Sequence, residues 1–492
     1  RLSTGTKMNL TPQQLAFLLT TSAPGSVALR ARAGSGKTFS LRQWAQQSRK
    51  SGIATSFSKS TVTELAEKMG PSFPAKTQHA LCLAALKSNG RNPKLDTSKM
   101  FNIVKRLAED NNIPFELQGE IRSLATFAKT YGIQPDPAGP VGITPNELSV
   151  WSDLADMYDV EFTEEILYWA KLAVIASNQA FLKDGLIDFD DMLYCALIYP
   201  HRFTKYGIII ADEVQDFNLL QHTALKRSLL PGGRIIAAGD DRQAIYAFRG
   251  ALSDSYQNLV STFNMQELPL TVSFRCPSEV IKVAREYVPD IEAAPGCKKG
   301  EVLYPSSLPL HEVPKTVLCC NNAPLMKLAL KLLVSGRTVE IAGRDIGQGL
   351  IKLTERITKK NLSTPEFIEK LEKWKEKETA RYPKRRNSIS EKSLALRTLA
   401  QSHRDVEGIK KHLSKLYPDP KDKSYRPADV HLSTIHKAKG REFPNVLLLD
   451  SHLIGKHATT EIEVKQSQNL SYVGVTRAQE TLTFITSSQI DE

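Results

Sequence analysis

Short apolar runs that end in polar or glycine-containing turns recur along the chain: SVALRA at 26–31, YGIIIADE at 206–213, GRIIAAGD at 233–240, KTVLCCNN at 315–322, RTVEIAGR at 337–344, NVLLLD at 445–450 and TLTFIT at 481–486. Runs this short and rich in β-branched residues, separated by longer helical patterns such as APLMKLALKLLVSG at 323–336, predict buried parallel strands alternating with helices. They form two groups, one before about residue 270 and one after about residue 313, so two α/β lobes are expected. Between Leu81 and about Gly185 the strand signal fades into amphipathic patterns, MFNIVKRLAED at 100–110 and EEILYWAKLAVIASNQAFL at 164–182, broken by QPDPAGPVGITP at 134–145. This reads as a helical insertion in the first lobe. A second polar, mostly helical segment from about Leu350 to Pro427 contains EKLEKWKEKETARYPKRR, better read as a solvated helix with mixed charges and a basic turn than as a dedicated binding surface.

Composition adds limits. A chain of 492 residues exceeds one ordinary core, and 41% hydrophobic with 24% charged residues is the balance of a soluble globular protein. No apolar run reaches the roughly 18 residues a membrane span needs, so no membrane partner is expected. The opening RLSTGTKMNL has no apolar signal core and sets Met8 behind a polar leader, so an intracellular protein, cytoplasmic or nucleoid-associated, with its natural start at Met8 is expected. The six cysteines, Cys82, Cys195, Cys276, Cys297, Cys319 and Cys320, form no C-x-x-C pair and suggest neither a zinc site nor a disulfide framework. The net charge of +12 favours a polyanionic partner, although general surface solubility would account for it too.

The candidate chemistry starts at RARAGSGKTFS, 30–40, where an apolar run enters a glycine-containing loop and then a helical pattern. Gly34 and Gly36 let backbone N–H groups curl around phosphate oxygens, Lys37 offers a point charge to the β and γ phosphates, and Thr38 a hydroxyl to magnesium. Only Ala31 departs from G-x-x-x-x-G-K-[ST]. A second element, GIIIADEVQD, sets Asp212 and Glu213 at the carboxyl end of an apolar strand, where ligands of open α/β sheets bind. Asp212 suits a magnesium ion held through water, and Glu213 suits orienting and deprotonating an attacking water.

With both elements in hand, the sequence resembles the UvrD/Rep family of superfamily 1 DNA helicases from Leu10 to Ala478. The matching segments follow in order: LTPQQ (10–14), ARAGSGKT (31–38), SFSKSTVTEL (56–65), TQHAL (77–81), LIDFDDML (186–193), ADEVQD (211–216), GDDRQAIYAFRGA (239–251), LTVSFRCP (270–277), LSTIHKAKGREF (432–443) and NLSYVGVTRA (469–478). The family commonly writes its first motif A-x-A-G-S-G-K-T, so Ala31 is its ordinary residue; Arg32, in place of glycine, and Phe39, in place of arginine, depart from it.

The resemblance implies an α/β fold of two RecA-like P-loop domains in tandem, each with a mostly helical insertion. Its boundaries would be 1–80 with 185–270 for domain 1A, 81–184 for accessory domain 1B, 271–349 with 428–492 for domain 2A, and a short accessory domain 2B at 350–427. It implies ATP and Mg2+ as cofactors. Ala33, Gly34, Ser35, Gly36, Lys37 and Thr38 would cradle the phosphates, Thr38 and Asp212 hold the metal, Gln14 read the adenine edge and Phe274 stack on its face. Gln243 would sense the γ phosphate, Arg275 and Arg477 approach it from the second lobe, and Glu442 contact the nucleotide from that side. Single-stranded DNA and single/double-strand junctions would be the partners: Phe57, Tyr246 and Phe248 would stack bases, while Lys59, Ser60, Thr77, His79, Arg249, Thr434, His436 and Lys439 would touch the backbone.

The implied activity is ATP-dependent translocation on single-stranded DNA, 3′ to 5′, coupled to unwinding. Two alternatives stay open: a translocase that displaces bound proteins and opens duplex weakly, favoured by the short second insertion, and a nucleotide-dependent clamp. Lys37, Asp212, Glu213, Gln243, Arg275 and Arg477 argue against the clamp. With only a short stretch after Ala478, no C-terminal nuclease is expected, and the resemblance favours DNA over RNA as the track.

Overall fold

The computed structural model describes residues 10–88, 90, 92–158, 160–245, 254–342, 344–381, 386–416, 428–456 and 458–491. The chain divides into two compact units, Arg1–Thr271 and Val272–Glu492. Met8 and most of the basic turn after Arg381 lie outside the described residues.

The first unit is built on five parallel strands: β1 (Val27–Ala31), β2 (Ile53–Ser56), β3 (Tyr206–Asp212), β4 (Leu229–Gly239) and β5 (Gln266–Leu270), in the order β2-β3-β4-β1-β5. The apolar runs form β1, β3 and β4 because both sheet faces are covered, so alternating positions are all buried. Leu29, Ile208, Ile210 and Ile236 pack with Phe17, Leu41 and Trp44 on one face, while Ala28, Ile209, Ile235 and Ala237 pack with Phe217, Leu225 and Tyr256 on the other.

Helix α1 (Pro12–Leu19) is entered through a capping box between Thr11 and Gln14 with Pro12 in its first turn, and α2 (Lys37–Gln47) leaves the loop after β1. Helices α3 (Lys59–Met69) and α4 (Gln78–Lys87) follow, capped by Ser58 and Thr77.

The segment expected to be a helical insertion contains α5 (Lys99–Asn111), α6 (Phe115–Thr130), α7 (Leu148–Met157) and α8 (Glu164–Asp184), with α9 (Phe189–Ile198) following. They share a core of Ile121, Leu124, Trp151, Ala170, Val174, Phe181 and Tyr194. Gly185 ends α8 in the left-handed conformation (φ 68). Inside this core lies an ionic cluster. Lys99 Nζ donates to Asp191 Oδ2 (2.6 Å) and to the Ser177 carbonyl (2.8 Å), and Lys129 Nζ lies 2.7 Å from Asp191 Oδ1 and 3.0 Å from Asp188 Oδ2. Lys99 and Lys129 come from α5 and α6 and the aspartates from the start of α9, so three helices meet on the Asp191 carboxylate, and α8 joins through the Ser177 carbonyl.

The second unit contains a six-stranded parallel sheet of β6 (Glu301–Leu303), β7 (Thr316–Cys319), β8 (Val339–Ile341), β9 (Val430–Thr434), β10 (Phe443–Leu449) and β11 (Ala478–Ile485), ordered β6-β11-β10-β7-β9-β8. Helices Arg344–Ile357, Thr364–Arg381, Arg386–Ala400 and Val406–Leu416 form the polar segment. Their apolar residues Phe367, Leu371, Leu396, Leu399, Ile409 and Leu413 join Val317, Ile341, Val430 and Leu447 of the sheet in one core. The polar composition of that stretch therefore reflects its outer faces. No helix of the described residues is long and apolar enough to cross a membrane.

Candidate functional site

The loop between β1 and α2 carries the nucleotide candidates. Gly34 and Gly36 both adopt positive φ (71 and 81), the left-handed region that glycine enters without strain, and Gly36 is the residue from which α2 starts. A Cβ on Gly36 would sit 3.2 Å from Gln14 Nε2, so the loop is packed closely against α1. Gln14 is buried, its Oε1 accepting from Thr11 N at 3.0 Å and its amide nitrogen directed at the loop.

At the carboxyl ends of neighbouring strands the charges converge. Lys37 Nζ lies 2.8 Å from Glu213 Oε2, and Thr38 Oγ1 donates to Asp212 Oδ2 at 2.9 Å. Burial alone would lower the Lys37 ammonium, but Glu213, Asp212 and Asp240 outweigh it and hold the group above its ordinary value. Burial, with Glu213 next to it, pushes the Asp212 carboxyl up to about 6 against the pull of Lys37 and the Thr38 hydroxyl. Glu213 sits at φ 55, a left-handed conformation uncommon for a side chain of this kind, and its N–H donates to Asp212 Oδ1 at 2.9 Å. The strand end is thus bent so that consecutive carboxylates serve different neighbours.

Two further side chains, Gln215 and Asp240, tie this cluster together. Gln215 Nε2 donates to Glu213 Oε2 at 2.5 Å, and its Oε1 accepts from Asp240 N at 3.1 Å. Asp240, fully buried at the end of β4, accepts from Gln243 Nε2 at 2.7 Å. Gly239 permits this, because a Cβ there would lie 2.8 Å from Gln215 Oε1. Both residues stood inside the quoted motifs ADEVQD and GDDRQ; the signal was a buried polar residue after an apolar strand.

The residues fit a magnesium-bound nucleoside triphosphate. Ser35 Oγ in the loop is buried with no hydrogen-bond partner among the described residues, as a group awaiting a phosphate oxygen would be. The Thr38 hydroxyl and Asp212 carboxylate form the adjacent oxygen pair that a hard cation takes.

Of the remaining candidates in the first unit, Phe57 is half-buried against the β-sheet core, and Lys59 and Ser60 are exposed in the first turn of α3. Thr77 caps α4 through Ala80 N (3.1 Å), and burial lowers the affinity of His79 for a proton, favouring neutral imidazole. These residues follow β2 or open the nearby helices α3 and α4. Tyr246, Phe248 and Arg249 lie outside the described residues.

In the second unit, Arg275, Glu442 and Arg477 are brought together. Arg275 Nε pairs with Glu442 Oε2, and its Nη1 reaches the Thr476 carbonyl at 3.4 Å. Arg477 is buried, donating to the carbonyls of Val473 (2.9 Å) and Arg441 (2.9 Å). Phe274 leaves 53% of its surface exposed, available to a planar ligand. Thr434 caps the short helix Ile435–Ala438 that carries His436, with Lys439 just beyond.

The UvrD/REP helicase N-terminal domain model matches residues 10–264, and the UvrD-like helicase C-terminal domain model matches residues 249–489. Similar curated proteins include a probable DNA helicase II homolog of Mycoplasma pneumoniae, 23% identical over 276 residues (50% of this chain, 37% of that protein). Another, from Mycoplasma capricolum, is 25% identical over 315 residues (57% and 41%), and DNA helicase II of Escherichia coli is 26% identical over 206 residues (39% and 26%). Each match spans less than half of the relative's length. Among solved structures, the helicase nonstructural protein 10 of an arterivirus is 13% identical with a TM-score of 0.35, over 95% of this chain and 61% of that one, a likeness too loose to inform function. The motif order, the paired charges at the strand ends and the two family matches lead to one statement: the chain belongs to the UvrD/Rep helicase family.

Proposed function

We propose that this chain is an ATP-dependent DNA motor that moves 3′ to 5′ along single-stranded DNA and separates strands at single/double-strand junctions. The observation that carries the reading is the set Lys37–Glu213 and Thr38–Asp212 at the carboxyl edge of the first sheet, within a chain of this family. Ala33 to Thr38 would hold the triphosphate, Gln14 and Phe274 the adenine, Glu442 the nucleotide, and Thr38 with Asp212 the magnesium ion. Bound magnesium neutralises phosphate charge as the terminal group transfers. Glu213 orients the attacking water and accepts its proton, for which its carboxylate must part from the Lys37 ammonium. Gln243, Arg275 and Arg477 stabilise the charge on the transferring group, planar guanidinium suiting phosphoryl oxygens.

Phe57, Tyr246 and Phe248 stack bases, and Lys59, Ser60, Thr77, His79, Arg249, Thr434, His436 and Lys439 grip the DNA backbone. The corresponding domain division is 1–80 with 185–270, 81–184, 271–349 with 428–492, and 350–427. The test is unwinding of 3′-tailed against 5′-tailed duplexes with Mg2+ and ATP. Activity is expected on the 3′-tailed duplex alone and none with Lys37→Ala. A 5′ preference overturns the direction, and displacement of a bound protein without strand separation reduces the motor to a translocase.

A further inference from the structure

Arg32 stands in the nucleotide loop but is buried, with only 5% of its surface exposed. Its Nη1 lies 2.6 Å from Asp241 Oδ1 and 3.3 Å from Asp240 Oδ1. The placement follows from strand register: β1 runs parallel to β4 with Arg30 opposite Gly239, so Arg32 and the Asp240–Asp241 pair leave the sheet side by side. The Arg32 backbone is fixed as well, its N–H donating to the Leu270 carbonyl (2.8 Å) and its carbonyl accepting from Ser35 N (3.1 Å).

The second oxygen of Asp240 accepts from Gln243 Nε2 at 2.7 Å, and the Asp240 N–H donates to Gln215, which reaches Glu213. Asp240 is therefore a hub between the phosphate loop, the acid beside Lys37, and the glutamine of the following turn. A fully buried carboxylate is costly unless a cation faces it. Burial raises Asp240 above the ordinary carboxylate range, and Arg32, ahead of Lys37, is the main group opposing that rise.

We propose that Arg32 is a positioning residue for hydrolysis: its guanidinium, clamped by Asp240 and Asp241, fixes the carboxylate that orients Gln243. The assignment rests on the ATP-hydrolysing reading above and gives this chain's arginine, where the family pattern has glycine, a role directed at carboxylates. Without the guanidinium, Asp240 either takes up a proton or turns toward Lys37, and Gln243 loses its anchor.

The experiment is steady-state ATP hydrolysis by the whole chain with single-stranded DNA, comparing wild type, Arg32→Gly, Arg32→Lys, Gln243→Ala, and each Arg32 variant combined with Gln243→Ala. Arg32→Gly should lower kcat about tenfold with the KM for ATP held within about twofold, since a misplaced group costs rate without changing ground-state binding. Arg32→Lys, which keeps one charge for Asp241 but loses the fork, should recover part of that loss. In the Gln243→Ala background either Arg32 change should cost less than about twofold, because the residue it serves is gone.

Full additivity with Gln243→Ala overturns the proposal, as does a raised KM at unchanged kcat, which would make Arg32 a direct phosphate ligand. If Arg32→Gly does not fold, Arg32→Lys and its double variant give the same reading. A wild type that hydrolyses no ATP overturns the functional reading and this proposal with it; an active wild type with unaffected Arg32 variants overturns only the role of Arg32.

Discussion

Asp212 carries the plainest consequence at the scale of a single residue. Its carboxyl is pushed up to about 6 from an ordinary 3.8, burial being the largest cause, so between those values the folded chain binds a proton that the unfolded chain releases. The stability from this group is complete below 3.8 and is lost as pH rises through about 6. On the proposed metal role, bound magnesium would need the ionised carboxylate, so at neutral pH it would relieve a buried charge that Lys37 and the Thr38 hydroxyl only partly offset, whereas in acid it would first have to displace a proton. Magnesium with a non-hydrolysable ATP analogue should therefore raise the melting temperature more at about pH 7.5 than at about pH 5.5. Asp212→Asn should abolish the difference, and a larger rise at the lower pH would contradict the assignment.

The residue scale also shows what a sequence conceals. Lys37, Thr38, Asp212 and Glu213 were legible because phosphate chemistry requires those types in short contiguous motifs. The partners of Arg32 were not, since Asp240 and Asp241 lie more than 200 positions away and only the pairing of β1 with β4 brings them near. The buried lysines were hidden for another reason. Lysine is ordinarily exposed, and nothing local marks Lys99 or Lys129 as interior.

Among elements, the ionic cluster holding α5, α6, α8 and α9 together makes the sharpest claim. Asp191 faces both Lys99 and Lys129, and although burial opposes it, those two ammonium groups hold its carboxyl well below the ordinary range. Replacing it by asparagine removes the carboxylate that Lys99 faces and leaves Lys129 paired with Asp188. Asp191→Asn should cost about 3–5 kcal/mol of unfolding free energy by denaturant titration. Replacing Lys99 and Lys129 by methionine in that variant should return much of it, because apolar groups need no partner; a fully stable Asp191→Asn would contradict a structural role for the cluster.

The strands divide in the same way. The runs forming β1, β3, β4, β7, β8, β10 and β11 were readable because most of their apolar residues are buried in parallel sheets, which favours continuous apolar sequence. Four other strands gave little signal, among them β6 (EVL), with two of its three residues exposed. β2 (IATS) is four residues long, the edge strand β5 (QELPL) is largely uncovered, and β9 (VHLST) places His431 between apolar residues, its ring bonded to Glu340 on β8.

At the scale of the whole molecule, each unit carries its own charged set, Lys37, Asp212 and Glu213 in the first and Arg275, Glu442 and Arg477 in the second. The family assignment covers nearly the full described chain. Charge agrees with a DNA track, since a net +12 favours a polyanion, but charge by itself supports no motor. What a motor requires beyond binding is hydrolysis that responds to DNA. The most direct measurement is ATP turnover by the intact chain with and without single-stranded DNA, for wild type and for Glu213→Gln, with nucleotide binding followed in parallel. The account predicts turnover that rises with DNA, and a loss of about a hundredfold or more in Glu213→Gln while Mg·ATP still binds, as removal of a general base requires. Turnover indifferent to DNA, or Glu213→Gln as active as wild type, would contradict it.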